Sequence, residues 1–202
     1  MKIAIQGELG AYSHIAANNL FSKAEIKTCA TFEETFKQAY QDENYKIIIP
    51  IENSLAGRVA DIHYLLPKYK LQIHGEYFLN VEHNLLCKPE ATIDDIMYVR
   101  SHAQAIGQCQ NIINKKKFKS IISADTAGSA KDLAEGNDKS IAAIASELSA
   151  KIYKLKILEK NVEDEKGNVT RFLIMGKNVE QPEFKKNKKF ITSCIFRLKS
   201  EP

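Results

Sequence analysis

Gly167-Asn168-Val169-Thr170-Arg171-Phe172-Leu173-Ile174-Met175 reads as the end of a polar loop running straight into an apolar strand. A charged segment from Asn161 to Gly167 leads into it. Junctions of this kind let a rigid sheet hold polar groups at a cleft, and here an amide, a hydroxyl and a guanidinium stand almost side by side. By itself the pattern is equally that of a solvated strand end, since Thr and Phe suit strands and Arg suits water. What the stretch means depends on the elements that precede it.

Upstream, strand and helix signals alternate. Lys2 to Ile5 reads as a strand, and Gly7-Glu8-Leu9-Gly10-Ala11-Tyr12-Ser13 turns into a helix carrying Ile15, Ala16, Leu20 and Phe21, with Ser13 as its expected cap. Ile26 to Cys29 is a second strand, and Thr31-x-x-Glu34 opens a helix as a capping box. Ile47-Ile48-Ile49 is a buried strand expected to close at Pro50. A short helix around Ile62 is expected to stop at Pro67, followed by extended runs from Leu71 to Leu79 and Val81 to Cys87, the second with one face to water. From Met97 the series repeats. Strands are expected at 97–99, 120–123, 141–145 and 155–158, with helices opened by Ser101-x-x-Gln104, Thr126 and Ser146. This alternation predicts an α/β fold with mostly parallel sheet and ligands at the carboxyl ends of the strands.

Composition is that of a globular chain: 202 residues, 44% hydrophobic and 27% charged, room for one large domain or two small lobes. No run approaches the roughly 20 apolar residues of a membrane helix. Met1-Lys2-Ile3-Ala4-Ile5 has no apolar signal core, so the expected location is the cytoplasm. Cys29, Cys87, Cys109 and Cys194 are scattered without a C-x-x-C pair and read as buried free thiols. The net charge of +4 is local: eight lysines in two clusters, 115–119 and 185–189, belong to the 29 basic residues, and without them 21 basic residues face 25 acidic ones. Only Phe118 interleaves with those lysines, so no stacking platform for nucleic acid is indicated.

Four junctions place polar groups at strand ends: Gly7 to Ser13, Glu52-Asn53-Ser54 after the isoleucine run, Ser101-His102-Ala103-Gln104-Ala105, and Asp125-Thr126-Ala127-Gly128. Each is explained singly by helix capping. Together with Thr170-Arg171 they describe a pocket for a small polyanion, because helix N-termini present unpaired N–H groups and partial positive charge. The glycines make neither G-x-G-x-x-G nor a phosphate loop, the five histidines lack metal-ligand spacing, and no G-x-S-x-G elbow is present.

Laid out in order, Gly7–His14, Ile49–Gly57, Ser101–Ala105, Thr126–Gly128 and Asn168–Phe172 resemble the prephenate dehydratases over almost the whole chain. Ala103 stands where many members have Pro, and Ala11-Tyr12 replaces the commoner Thr-Phe; the second departure also occurs in the related arogenate dehydratases. The resemblance implies a two-lobed catalytic domain over 1–180, similar to the type 2 periplasmic binding proteins. Residues 1–78 and 167–180 would form one lobe and 79–166 the other, with the active site between them. It further implies a linker at 181–189 and, at 190–202, the opening strand of an incomplete ACT regulatory domain. The implied reaction converts prephenate to phenylpyruvate with loss of water and carbon dioxide. Aromatisation drives it, so no redox cofactor or metal is expected. The expected partner is the small-molecule substrate, with no nucleic acid and no membrane, and the expected assembly is a homodimer or higher homo-oligomer.

The candidate catalytic residues are Thr170, as donor to the departing hydroxyl, with Glu52 as the rival acid, and Asn53 and Ser54 beside it. Arg171 is expected to fork onto a substrate carboxylate. Phe172, Asn168, Ser13, Ser101, His102, Gln104, Thr126 and Ala127 are expected to complete the binding site. Arogenate dehydration giving phenylalanine directly and a non-catalytic small-anion binder are the alternatives.

Overall fold

The computed structural model describes residues 1–178 together with 186, 187 and 189. The expected ACT-like strand at 190–202 and most of the linker at 181–189 lie outside the described residues.

Isoleucines on alternate sides of adjacent strands make the first lobe. β1 (Lys2–Gln6), β2 (Glu25–Cys29) and β3 (Tyr45–Asn53) pair in parallel. Ile3, Ile5 and Ile48 pack under α1 (Tyr12–Leu20), while Ala4, Ile47 and Ile49 pack under α2 (Phe32–Gln41) and α3 (Ala60–Tyr69). Because side chains alternate across a strand, one sheet supplies both cores. A two-residue strand, β4 (Gly57–Arg58), folds back on the end of β3. β5 (Gln72–Asn80) then leads out of the lobe.

The second lobe is built from β6 (Asn84–Cys87), β7 (Tyr98–His102), β8 (Lys119–Ser123), β9 (Ile141–Ala145) and β10 (Lys156–Glu159). Its helices are α4 (Ala103–Gly107), α5 (Gln110–Lys116), α6 (Thr126–Glu135) and α7 (Glu147–Ile152). The chain returns to the first lobe as β11 (Val169–Gly176), which enters the first sheet between β3 and β5. The sheet orders are β2-β1-β3-β11-β5 and β10-β6-β9-β7-β8, two α/β lobes joined by two crossings, as the type 2 periplasmic-binding-protein likeness implied.

Several local expectations are corrected. The pairing is parallel only within β2-β1-β3 and β8-β7-β9; β11 and β6 run antiparallel to their neighbours, because each enters its sheet from the other lobe. Pro50 does not end β3. It sits opposite Phe172 where the register shifts, an irregularity that accommodates its missing N–H, and the strand continues to Asn53. Pro67 lies inside α3, whose turn ends at the left-handed Lys70. In the run from Val81 to Cys87 only Asn84–Cys87 is strand, and all four residues are buried: Leu85 and Cys87 pack into one core with Ile112 and Ile113, and Leu86 packs on the other face with Ala130 and Leu133. The helix expected after Ser101 is two helices, α4 and α5. The Asp164 carboxylate accepts from the backbone N–H groups of Gln110 at 2.8 Å and Asn111 at 2.9 Å, capping α5 from 53 or more residues away.

Candidate active site

The carboxyl ends of the parallel strands in both lobes face one cavity of about 460 Å³. Lobe one contributes Gln6, Tyr12, Ser13, Asn53 and Arg58; the other lobe contributes His83, His102, Gln104, Gln108 and Thr126. Asn168, Thr170 and Phe172 enter from β11. Thus eight expected residues, Thr170, Asn53, Phe172, Asn168, Ser13, His102, Gln104 and Thr126, share one wall-to-wall space.

Asn53 organises its floor. Its Oδ1 accepts the backbone N–H groups of Leu55 at 3.0 Å and Ala56 at 2.8 Å, so its Nδ2 must be the outward donor. That nitrogen donates to Asn168 Oδ1 at 2.6 Å and to Thr170 Oγ1 at 2.9 Å. Asn168 in turn donates through Nδ2 to Gln108 Oε1 at 2.9 Å, an oxygen that also lies 3.0 Å from His83 Nε2. Facing an acceptor, His83 carries its proton on Nε2 and leaves Nδ1 to accept from the Tyr12 hydroxyl at 2.8 Å. The Glu82 carbonyl oxygen, also 2.8 Å away, gives the Tyr12 proton a second acceptor. Two backbone N–H groups in a turn of the first lobe therefore fix the polarity of a chain that ends on the second.

Burial sharpens this order. Burial holds the His83 imidazole below its ordinary pKa, against the smaller opposing pulls of Gln108 and Glu163, so the neutral form is favoured. The Tyr12 phenol is pushed well above its usual value, first by burial and then by the charges around it. Thr170, 8% exposed, accepts from Asn53 and finds no acceptor for its own proton among the described residues. A hydroxyl in that state is a donor directed by its neighbours.

Five expected site residues do not line the cavity. Along β11, Thr170 and Phe172 face it while Arg171 faces the other side of the sheet, as a two-residue period requires. There the Arg171 guanidinium is held by Glu76, with Nε 2.8 Å and Nη2 2.6 Å from Oε2, and Nη1 is 4.0 Å from Glu52. Glu52 stands opposite Arg171 in register and is 61% exposed in its side chain, so it is neither near Thr170 nor dry enough to act as a buried acid. Ser54 donates to the Gly167 carbonyl oxygen at 3.1 Å and accepts from Val169 N–H at 2.9 Å, tying β3 to the returning chain. Ser101 is fully buried in β7 and donates to Ile144 O at 2.7 Å, so it caps nothing; the cap of α4 is His102, whose Nδ1 accepts from Gln104 N–H. Ala127 is buried in the first turn of α6, where Asp125 is the cap. Ser13, for its part, lies inside α1 and donates to Gln6 O at 3.3 Å rather than capping the helix.

Sequence reasoning missed Tyr12, His83, Gln108 and Arg58. Tyr12 and Arg58 sit inside or beside stretches already singled out for polar groups. Gln108 lies four residues beyond Gln104, a spacing that returns to the same side of a helix. Nothing local marks His83.

A separate seam joins the lobes. Ser146 and Ser149, at the start of α7, donate to the Gly10 carbonyl oxygen at 2.6 and 3.1 Å, and Gly10 N–H donates to His14 Nδ1 at 3.0 Å. Gly10 has φ +94°, and a Cβ there would come within 2.8 Å of Ser149 Cα. Glu8 and Lys131 pair across the seam at 3.1 Å.

Comparison with known proteins matches the prephenate dehydratase family model over residues 3–180. An Arabidopsis thaliana chloroplastic arogenate dehydratase/prephenate dehydratase 2 is 38% identical across all of this chain and 52% of its own length. A Komagataeibacter europaeus bifunctional N-acyl-homoserine lactone acylase/prephenate dehydratase is 37% identical over 99% of this chain and 71% of its own. The chain thus spans about half the length of the Arabidopsis relative. The crystal structure of the Staphylococcus aureus prephenate dehydratase superposes with a TM-score of 0.75 at 27% identity, covering 89% of this chain and 67% of that one. A cleft built from these motifs, with a family match over nearly the whole described length, places the chain in the prephenate dehydratase family.

Proposed function

We propose that the chain is a carbon–oxygen lyase that converts prephenate to phenylpyruvate, in phenylalanine biosynthesis. The observation that carries this reading is the Thr170 hydroxyl, oriented by Asn53 over a cavity shared by both lobes. Prephenate must lose its ring hydroxyl and its ring carboxylate together. The C–C bond to the carboxylate breaks, its electron pair enters the ring, carbon dioxide leaves, and the C–O bond breaks with the hydroxyl departing as water. The proton for that water comes from solvent by way of a donor at the oxygen. Thr170 supplies the hydrogen bond to the departing oxygen, where charge develops and a positioned donor in a closed cavity acts strongly. His102 and the N-terminus of α6 at Thr126 offer further polar contacts to the substrate.

Arogenate, which differs in bearing an ammonium where prephenate has a ketone, is the alternative substrate and would give phenylalanine directly. Incubation with each compound, following the absorbance of phenylpyruvate and the formation of phenylalanine, tests both readings. Turnover of prephenate is expected; turnover of neither would leave a small-anion binder. The proposed assembly is a homodimer or higher homo-oligomer, which sedimentation would check.

A further inference from the structure

Resting on the dehydratase reading, we infer that Arg58 binds a carboxylate of the substrate and biases the site toward the more anionic of the two candidate compounds. Prephenate carries two carboxylates and net charge −2; arogenate carries the same two and an ammonium, net −1. A cavity that takes either must meet negative charge. Among the described residues lining it, Arg58 is the one with a permanent positive charge. The guanidinium beside Thr170 in the sequence is not available for this task, being forked onto Glu76 on the far side of the sheet.

Arg58 stands across from Glu52 in the β3–β4 pairing, so its Cβ starts on the Glu52 face, and it reaches the cavity from the exposed end of β4; among the described residues no carboxylate comes within ion-pair distance of it. Arg58 therefore keeps its full charge for a ligand, and a planar fork of N–H groups that matches a carboxylate. The arm that bears it is also fixed. Asn53 Oδ1 holds the N–H groups of Leu55 and Ala56, Gly57 turns with φ +78°, and Val59 N–H donates to Ile51 O at 3.0 Å. The same Asn53 side chain holds Thr170. One amide thus sets both the proposed carboxylate anchor and the proposed donor to the leaving hydroxyl. A cation at one wall attracts a dianion more than a monoanion, and repels the ammonium that distinguishes arogenate.

The test is steady-state kinetics of the wild type, Arg58→Gln and Arg58→Lys with prephenate and with arogenate, at low and high salt, with melting curves to confirm that each variant is folded. Arg58→Gln is expected to raise KM for prephenate on the order of tenfold, the main loss falling on KM, and to raise it distinctly less for arogenate. Arg58→Lys, which keeps the charge and loses the fork, is expected to fall between. The salt dependence of kcat/KM for prephenate should flatten in Arg58→Gln. An Arg58→Gln protein with unchanged KM for both compounds, or with equal increases for both, overturns the inference and leaves the dehydratase reading standing. A wild type that turns over neither compound overturns that reading, and this inference with it.

Discussion

The two lobes are variations on one plan. In each, three parallel strands in the order second-first-third are followed by a strand arriving from the other lobe, antiparallel, and then by a last strand beyond it: β2-β1-β3-β11-β5 in one, β8-β7-β9-β6-β10 in the other. The arriving strands occupy matching positions, with Thr170 of β11 opposite Asn53 at the end of β3, and Asn84 of β6 opposite Ala145 at the end of β9. Yet the pairs do different things. Asn53 and Thr170 join side chain to side chain at the cavity, whereas the side chain of Asn84, 3% exposed, reaches among the described residues the Ala145 carbonyl oxygen at 3.4 Å. One plan therefore provides a strand end open to the cavity in the first lobe and a packed one in the second.

The largest effect expected from this difference is at the paired positions themselves. Thr170→Ala should lower kcat by about 10²-fold or more, equivalent to about 2.7 kcal/mol of barrier, while KM changes little, and Thr170→Ser should keep much of the rate. Asn84→Ala should leave kcat within a few-fold and lower stability instead. Single-turnover rates alongside urea unfolding check both. If Asn84→Ala matched Thr170→Ala in rate, the lobes would share the chemistry and the contrast would fail.

The seam between the lobes gives the next effect. Gly10→Ala must place a methyl against Ser149 and hold a positive φ that L-residues resist. Overpacking and strain together should cost about 2–4 kcal/mol of stability, read as a lower urea midpoint. A Gly10→Ala protein as stable as the wild type would mean that the lobes separate at this seam without loss.

Acid should act on the same seam and on the cavity floor. Burial holds both His14 and His83 below the ordinary histidine value of about 6.5. Below pH 6.5 the unfolded chain therefore takes up protons that the folded chain refuses. The unfolded state then binds more protons, so stability rises with pH in this window and is lost as pH falls through it. The loss is at most about 1.4 kcal/mol per group per pH unit, and it ends once the depressed folded-state values are passed. Melting temperatures from pH 7.5 to 5.5 should fall, and His83→Gln, whose amide can still donate to Gln108, should fall less steeply. Identical slopes would show that His83 takes its proton without cost to the fold.

Much of this frame was legible because it is local. The isoleucine runs, the Thr31 cap, which accepts from Glu34 N–H, and the Ser146 cap, which accepts from Ser149 N–H, are read from a few neighbouring residues, and the structure has them. What escaped was settled at a distance. Asp164 splits one expected helix in two from 54 residues beyond Gln110, and β6 is buried on both faces because helices distant in sequence pack against each of them. In the site, the five motifs marked where the polar groups come together. They did not say which way each side chain points. That is why Glu52 and Arg171, adjacent to Asn53 and Thr170, stand away from the cavity, while Gln108 and His83, outside any capping pattern, joined the hydrogen-bond chain.

The smallest expected effect tests that last point. Arg171 and Thr170 are neighbours in sequence and lie on opposite faces of β11, so replacing them should separate binding, chemistry and stability. Arg171→Ala removes the fork onto Glu76 and the contact of the guanidinium with the Phe78 ring, 5.9 Å from its centroid. Both groups of the ion pair are about 30% exposed, which leaves the pair screened by solvent and places its contribution at about 1 kcal/mol or less. KM for prephenate should change by less than about threefold, well short of the change expected for Arg58→Gln, and kcat should stay near that of the wild type. Because β5 and β11 are paired from Val169 to Gly176, with one register shift between Ile174 and Met175, loss of one cross-strand pair should leave their register intact. A tenfold rise in KM for Arg171→Ala, with little change for Arg58→Gln, would mean that the guanidinium leaves Glu76 when substrate binds and reaches round the strand end to the cavity. In that event the face a side chain occupies in this structure would not be the face on which it works.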